Sequence, residues 1–462
     1  MSDASLYTAL SGLETARAGL ATTAQDISNV NTPGFQRETA AVSTVDNGGV
    51  LGIGGGSQVS SIVQASNAFL QAASLQADAS VSNLTAGQQV LSSIQAAFPE
   101  PSQYGISEQL STFWSAWDAV AQNPSSQAPR TALISDAQNI ATSLNQASSQ
   151  LDTLSSQTTT QLSATTGQVN QLLTQVANLN QQVVSVGGGS RANSLVDQRN
   201  QLVSQLAQDI GATVRTQPDG SATVSVGGVT LVQGNVADTV QIAVSTSGQF
   251  SLTSTMTGAT LDVTNGAAAG LLASLNTYIP TYQAKIDGVA SDLASTVNTQ
   301  LASGYYYYSA TSAWVSGSGA PMFLNSSTGT TSGVTAAGIE VNPAMVANPQ
   351  DIAASSTNVT PDATNNGANA QAMAELFNAT SGPDKAYRSL IEDIGSQVQG
   401  TTQQLQTQTS VQTAASQALQ SATGVSTDAE MVKSVQYQQA YQAAAKVIAV
   451  TATAMQSLLA AV

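Results

Sequence analysis

The sequence predicts a mainly α-helical chain with a β-rich middle, an α+β protein built as an elongated rod of several domains. Three observations predict it. A seven-residue apolar repeat fills the first thirty residues, a matching stripe closes the sequence, and apolar residues alternate with a period of two between residues 212 and 263. The first two patterns are typical of helices and the third of strands. Helical ends and a central β segment indicate a chain that runs out and returns, with both termini at one end of the rod.

The N-terminal stripe repeats one large and one smaller side chain every seven residues. Its large members are Leu6, Leu13, Leu20 and Ile27. Its smaller members, three places further on, are Ala9, Ala16, Thr23 and Val30. This pattern favours a helix that lies closely against another helix. Because Pro33 cannot continue a helix and disfavours helical geometry at Thr32, the helix must end before them.

The C-terminal stripe steps by three or four residues to the last position. Its members are Tyr437, Tyr441, Ala444, Ile448, Ala452, Met455, Leu459 and Val462. Helices depend on tertiary packing for most of their stability, so each terminal helix needs a partner. We expect residues 1–35 and 425–462 to be disordered in the free monomer and ordered in an assembly. The side chains expected to form the assembly interface are Leu6, Leu13, Leu20, Ile27, Tyr437, Tyr441, Ile448, Met455 and Leu459.

The domain organisation follows from where the periodicity changes. The expected units are a terminal coiled-coil domain (1–45 with 425–462), a helix-rich, bundle-like body (46–211, 266–303 and 366–424), a β-rich segment of that body (212–265) and a reduced variable outer domain (304–365). Within the β-rich segment, the Pro218-Asp219-Gly220 turn predicts a hairpin. Within the outer segment, Tyr305 to Tyr308 would alternate across two faces, leaving two tyrosines exposed.

Three shorter patterns concern loops and helix starts. The glycine-rich stretch 47–56 resembles a nucleotide-binding fingerprint only superficially, and we interpret it as the loop of a short hairpin. Three glycines at 187–189 predict a hinge between helices. Ser194 followed by Asp197 predicts a capping box that starts the next helix.

Composition excludes many kinds of chemistry. The chain has no cysteine and no histidine, which excludes disulfides, thiolate or imidazole metal sites, and catalysis by either side chain. Its carboxylates are scattered singly, so we expect neither catalytic residues, nor a metal, nor a cofactor. The net charge of −16, with 11 basic against 27 acidic residues, leaves no basic patch for nucleic acid. The sequence contains no run of about twenty apolar residues that could span a membrane. The acidic N-terminus does not resemble a cleavable signal peptide.

Two motifs indicate a known family. The segment from Asp26 to Phe35 resembles the N-terminal signature of bacterial flagellar rod, hook and hook-associated proteins; its motif residues are Asn29, Asn31, Thr32, Pro33, Gly34 and Phe35. Near the other end, the segment from Tyr437 to Ala443 resembles the hook-associated members, with Gln438, Gln439 and Ala440 as motif residues. The resemblance covers most of the chain except about 304–335. There a tyrosine run and a short Gly/Ser-rich stretch replace the Asp/Gly-rich segment that leads to the outer domain in the family.

The resemblance implies a structural subunit that joins the flagellar hook to the filament. Such a subunit is exported unfolded by the flagellar type III apparatus and assembles with copies of itself into a ring-like axial zone. Its implied neighbours are hook protein and hook-associated protein 3, and its C-terminal helix would bind an export chaperone while the chain is transiently cytoplasmic. Its implied location is the extracellular hook–filament junction.

The sequence leaves other functions open. The chain could be another flagellar axial protein of the hook, rod or filament type, or a secreted adhesin-like structural protein. A glycosidase that uses paired carboxylates is a third alternative, although no carboxylate pair stands out in the sequence.

Overall fold

The computed structural model describes residues 2–45, 55–187 and 190–460. Within these ranges long helices dominate and short antiparallel strands lie mid-sequence, which confirms the predicted fold class. Most of the predicted 47–56 loop, two of the three hinge glycines and Val462 fall outside the described residues. No helix in the described ranges has both the length and the apolar character needed to cross a membrane.

The helices alternate between long rods and short connecting pieces. They are α1 (Ser2–Ser28), α2 (Ala68–Ala96), α3 (Ile106–Gln122), α4 (Gln127–Val186), α5 (Ser190–Ile210), α6 (Ala267–Ala273), α7 (Ile279–Ala302), α8 (Pro343–Ala347), α9 (Ala368–Glu375), α10 (Pro383–Thr423) and α11 (Thr427–Ala460). A π-helical turn, Ser274–Tyr278, joins α6 to α7. The 60 residues of α4 extend for about 90 Å, which makes the molecule elongated.

The strands form small antiparallel sheets. They are β1 (Glu38–Thr44), β2 (Ser57–Gln64), β3 (Thr213–Thr216), β4 (Ala222–Val226), β5 (Val229–Gln233), β6 (Val236–Ala237), β7 (Val240–Val244), β8 (Phe250–Ser254), β9 (Thr260–Leu261), β10 (Tyr305–Tyr308), β11 (Ala313–Ser316), β12 (Phe323–Asn325) and β13 (Ile339–Val341). Strands β3 to β6 make one sheet and β7 to β9 another, whereas β1–β2, β10–β11 and β12–β13 are separate hairpins. The predicted hairpin around Asp219 is β3–β4.

Two hydrophobic cores lie along α4. The first half of α4 packs with α3, α7 and α10, around side chains such as Trp117 and Ile286 that are fully buried. The second half packs with α5, α6 and the two larger sheets, around Leu173 and Leu206. One continuous helix therefore connects the helical and the β-containing parts of the body.

The segment between α7 and α9 contributes to the first core. Phe323 is fully buried there, and the Asn298 side chain of α7 donates to its carbonyl at 2.7 Å. Two tyrosines of the tyrosine run are exposed, as predicted, but they are the adjacent Tyr307 and Tyr308 rather than alternate residues. The reason is that only the start of β10 lies against the body, where Tyr305 pairs with Ser355.

Candidate functional site

Helices α1 and α11 pack against each other in antiparallel register. Gly12 faces Ala444, and Gly19, seven residues later on α1, faces Tyr437, seven residues earlier on α11. A Cβ atom added to Gly19 would lie 2.5 Å from a ring carbon of Tyr437, and one added to Gly12 would lie 3.9 Å from the Ala444 Cβ. The missing side chains allow the two helices to approach closely.

Burial on α1 follows the smaller members of the heptad stripe. Ala9, Ala16 and Thr23 are 7%, 3% and 3% exposed, whereas Val30 at the end of the stripe is exposed. The predicted large interface residues Leu6, Leu13, Leu20 and Ile27 are all only partly buried. The tightest contact of α1 therefore lies on its small-residue side.

Helix α11 remains largely accessible. Among the predicted interface residues, Tyr437, Ile448 and Met455 are partly buried, while Tyr441 and Leu459 are exposed. The motif residues Gln438, Gln439 and Ala440 are also exposed. Further exposed apolar side chains of this helix pair are Tyr7, Leu10, Met431, Val432, Val435, Val447 and Val450. We call this set, with Tyr441 and Leu459, the exposed apolar surface.

The N-terminal motif forms the turn that ends α1. The helix ends at Ser28, and the Asn29 side chain donates to the Gln25 carbonyl at 3.0 Å. The hydroxyl of Thr32 in turn donates to the Asn29 side chain at 3.1 Å. Asn31 is exposed within this turn. Asn29 thus satisfies the Gln25 carbonyl at the helix end, and Thr32 binds the Asn29 side chain that does so.

Pro33 and Gly34 join this turn to the body through α5. The Gln201 side chain donates a hydrogen bond to the Pro33 carbonyl. Gly34 has a φ of +76°, and an added Cβ would lie 2.7 Å from the Gln201 amide nitrogen. Both the backbone conformation and the close approach therefore require glycine here. Phe35, the last motif residue, is partly buried.

The backbone just after the motif ties three elements together. Arg37 donates its amide to the Thr423 carbonyl at the end of α10, at 2.8 Å, and accepts from the Ala65 amide after β2, also at 2.8 Å. Alongside α1, the Ser57 amide of β2 donates to the Ser11 hydroxyl at 3.2 Å. The terminal helices are therefore attached to the body both through the motif turn and through the β1–β2 hairpin.

Four acidic side chains converge where α1, β1, α5 and α11 meet. Asp26, Glu38, Asp197 and Glu430 are 0%, 2%, 7% and 0% exposed, and we call them the carboxylate joint. The Asp26 carboxylate accepts the Glu38 amide at 3.0 and 3.2 Å. Lys433 forms an ion pair with Glu430 at 2.7 Å, one of two ion pairs among the described residues. This partly exposed lysine thus acts on two of the four buried carboxyl groups, Glu430 and Asp26.

Neutral amides occupy the remaining positions around the joint. Asn193 donates to Glu38 at 2.8 Å, and Gln25 donates to the same carboxylate at 3.3 Å. Gln64 of β2 donates to Asp197 at 2.6 Å. The second carboxylate oxygen of Glu430 has no hydrogen-bond partner among the described residues. Amides orient the carboxylates but do not neutralise them.

Burial without enough positive charge makes Asp26 and Asp197 weaker acids. The pKa of Asp26 is raised from 3.8 to about 6, chiefly by burial and also by the nearby charges of Glu430 and Glu38, against the opposing effect of the Glu38 amide. Burial likewise raises the pKa of Asp197 to about 6. The joint is therefore sensitive to pH just below neutrality.

The capping-box prediction is wrong. Helix α5 begins at Ser190, ahead of Ser194, and Asp197 lies inside it, where it binds the Gln64 side chain. The helix starts directly after the glycines, so no cap is needed four residues later. Sequence reasoning also missed Gly12, Gly19 and Asp26 as one heptad register on α1. Their seven-residue spacing could have identified them, since a close helix contact favours small residues at such intervals.

No group of acidic residues in the described ranges has the arrangement of a metal site. The carboxylate joint is closed by backbone and amide contacts. Its chemistry is that of proton uptake and of holding elements together.

Three sequence families match successive parts of the chain. Residues 91–314 match the flagellar hook-associated protein FlgK helical domain. Residues 6–36 match the flagella basal body rod protein family, and residues 415–461 match the flagellar basal body rod FlgEFG protein C-terminal family. The two rod-type matches coincide with α1 and α11.

The curated relatives that match this chain are all named flagellar hook-associated protein 1. Flagellar hook-associated protein 1 of Salmonella typhimurium is 29% identical over 238 residues, which cover 50% of this chain and 42% of that protein. The protein of that name from Escherichia coli is 28% identical over 238 residues, covering 50% and 43%. Over these segments the chain is similar to flagellar hook-associated protein 1. The matched region spans less than half the length of these curated relatives.

A solved structure shows the same fold. The flagellar hook junction protein FlgK from Burkholderia pseudomallei superposes with a TM-score of 0.62, over 78% of this chain and 100% of that one. The two sequences are 19% identical over the match. Helical rods with β-containing insertions are thus shared at the level of architecture.

Proposed function

We propose that this protein is a structural subunit of the bacterial flagellum that joins the hook to the filament and assembles through its terminal helices. Similarity to flagellar hook-associated protein 1 over half of the chain, with rod-type family matches at both ends, supports the flagellar role. The observation that carries the assembly role is the exposed apolar surface on the antiparallel pair of α1 and α11. A contiguous group of exposed apolar side chains on a protein surface is typical of a protein–protein interaction site.

The exposed residues lie where a neighbour could reach them without opening the pair. Val432 and Val435 are each two residues from a side chain that faces α1, Glu430 and Tyr437 respectively. Two residues correspond to about 200° around a helix, so these valines point away from α1. They are 58% and 52% exposed.

The partners in this proposal are copies of the same chain in a ring-like axial zone, hook protein on one side and hook-associated protein 3 on the other. A cytoplasmic export chaperone would cover α11 before secretion by the flagellar type III apparatus. The final location would be the extracellular hook–filament junction. A low content of charged residues suits contacts between copies, because few ion pairs must be desolvated.

The proposed role needs no catalytic residue, metal or cofactor. We also propose the domain organisation given above, with residues 1–45 and 425–462 as the terminal domain. The two cores along α4 support a body that remains folded when the terminal helices are altered.

The test uses the double variant Val432→Asp, Val435→Asp in cells that lack their own copy of this protein. Two charges on the exposed apolar surface would have to be desolvated at an interface, at a cost of several kcal/mol. We expect cells that build hooks but shed filament subunits into the medium. The purified variant should melt like the wild type, since both valines are accessible in the monomer.

The matched control is Val236→Asp, which places the same change at a valine of β6 that is 51% exposed. That variant should keep its filaments attached. Attached filaments in the α11 double variant would show that this surface is not the joining element, and the assembly role would be withdrawn.

A further inference from the structure

An open cavity of about 310 Å³ lies between the β10–β11 hairpin, the start of α4 and the segment 350–366. Its volume is at the lower end of the range of small-molecule sites, which is about 300–1,000 Å³. It is separate from the terminal helices and from the carboxylate joint. Nothing in the proposed assembly role uses it.

Two aromatic side chains stand at this cavity. Tyr307 and Trp314 are cross-strand partners in the β10–β11 hairpin, with ring centroids 5.8 Å apart and an interplanar angle of 67°. Tyr307 is 46% exposed and Trp314 is partly exposed. The other two tryptophans of the chain, Trp114 and Trp117, are buried in the first core. This aromatic pair is therefore positioned beside solvent rather than used for packing.

Several neutral polar side chains also line the cavity, and three of them have no hydrogen-bond partner in the part of the chain that the structure describes. Gln350, Thr360 and Thr364 make no side-chain hydrogen bond within the described residues. Asn366 is held in one orientation, because its Oδ1 accepts from the Ser356 amide at 3.0 Å and from the Ala368 amide at 3.0 Å. Its Nδ2 has no protein acceptor in the described ranges, which leaves a fixed donor at the cavity.

Arg130 lines the cavity, but its positive charge is not free. The Arg130 guanidinium is 6% exposed and donates to the carbonyls of Pro124, Gln350 and Ile352, at distances between 2.6 and 3.2 Å. Asp351 lies near enough to act on its charge. Because the arginine is occupied by backbone oxygens, the cavity has no cation available for a phosphate or a carboxylate ligand.

We propose that this cavity binds a neutral saccharide, with a pyranose ring against Tyr307 and Trp314 and its hydroxyl groups on Asn366, Gln350, Thr360 and Thr364. A sugar ring has an apolar C–H face and a rim of hydroxyl groups. The cavity presents the complementary pair of surfaces, aromatic rings beside uncharged donors and acceptors. This inference does not depend on the assembly role.

The test titrates maltotriose and, separately, triacetylchitotriose into the purified full chain, followed by tryptophan fluorescence and calorimetry. Since Trp114 and Trp117 are buried, Trp314 should report the binding. We expect saturable binding of at least one probe. Trp314→Ala should weaken it by about tenfold or more, as expected for an aromatic anchor.

Because Trp314→Ala could weaken binding simply by unfolding the β10–β11 hairpin, a second variant, Asn366→Asp, tests the cavity outside the hairpin. An aspartate keeps the oxygen that accepts from Ser356 and Ala368 but removes the free donor, so affinity should fall while the melting temperature stays constant. The control is Tyr104→Ala, at a tyrosine that is 76% exposed and does not line the cavity; it should bind like the wild type.

Two results would overturn the proposal. One is the absence of saturable binding of both probes at millimolar concentration, or binding that neither cavity variant weakens. The other is self-association of the chain that Trp314→Ala abolishes while neither sugar binds, which would assign the aromatic pair to a protein contact.

Discussion

Asp26 on α1 and Glu430 on α11 occupy equivalent positions at one end of the same helix seam. Asp26 lies seven residues after Gly19, and Glu430 lies seven residues before Tyr437, the residue that packs on Gly19. Both carboxyl groups are fully buried, and the charge of Glu430 acts to raise the pKa of Asp26. The close glycine contacts of the seam thus continue directly into the carboxylate joint.

The first prediction concerns Gly19. Gly19→Ala should destabilise the helix pair, because the new Cβ would lie 2.5 Å from the Tyr437 ring, and such overpacking costs about 1–3 kcal/mol. Gly12→Ala is the matched control one heptad away, where the Cβ would make an ordinary contact at 3.9 Å. It should be neutral or stabilising by up to about 1 kcal/mol through helix propensity.

Denaturant unfolding monitored on α1 and α11 by hydrogen exchange distinguishes these two variants. In a Tyr437→Ala background the cost of Gly19→Ala should disappear, since the obstructing ring is gone. Equal effects of the two alanines in the wild-type background would contradict the close contact.

The second prediction concerns Gly34 in the motif turn. Gly34→Ala should loosen the attachment of α1 to α5, because it combines an unfavourable φ of +76° with a collision against Gln201. A residue forced into that region costs about 1–3 kcal/mol. Gly395→Ala on α10 is the control: an added Cβ there has open space, so thermal unfolding should show a small gain. A Gly34 variant as stable as the wild type would contradict the strain argument.

The third prediction is a pH dependence of the joint. The folded-state pKa of Asp26 is about 6 against an ordinary value of 3.8, so the folded chain binds a proton that the unfolded chain has released between these two values. Stability from this group is therefore greatest below about pH 4 and is lost as the pH rises through about 6. Asp197 contributes with the same sign. The shift of Asp26 corresponds to at most about 3 kcal/mol.

Unfolding experiments on the wild type and Asp26→Asn at pH 5 and pH 7 measure this term. Asparagine keeps an acceptor for the Glu38 amide but cannot ionise, so the variant should be the more stable protein at pH 7 and should lose less stability between the two values. Comparing the two proteins cancels the titration of the other acidic groups. Parallel pH profiles would show that Asp26 does not titrate in this range.

The fourth prediction is that α1 and α11 are weakly ordered in the free monomer. Much of α11 is accessible, and none of its side chains described after Glu430 is fully buried. Hydrogen exchange on dilute purified protein should show measurable but much weaker amide protection in residues 2–28 and 431–460 than in α4. Strong protection of both termini at low concentration would show that the pair is self-sufficient and would weaken the assembly argument.

The sequence by itself determined the type of the main elements and where α1 stops. Heptad spacing defined α1, the Thr32-Pro33 step ended it, and the change of period marked the β-rich middle, because these are local properties of the backbone and its side chains. The absence of histidine and cysteine, the motif between Asp26 and Phe35 and the segment around Gln438 were equally readable without coordinates.

Only the tertiary structure decided which residues meet. The spacing of Leu6, Leu13, Leu20 and Ile27 indicated a helix seam, but the closest contact passes through Gly12 and Gly19, since the distance between helices depends on the partner as well as on the stripe. Glu38, Asp197 and Glu430 stand far apart in sequence, where no local pattern pairs them. Folding brings them to Asp26 inside one buried joint, and burial, which no local pattern records, raises the pKa of Asp26 and Asp197.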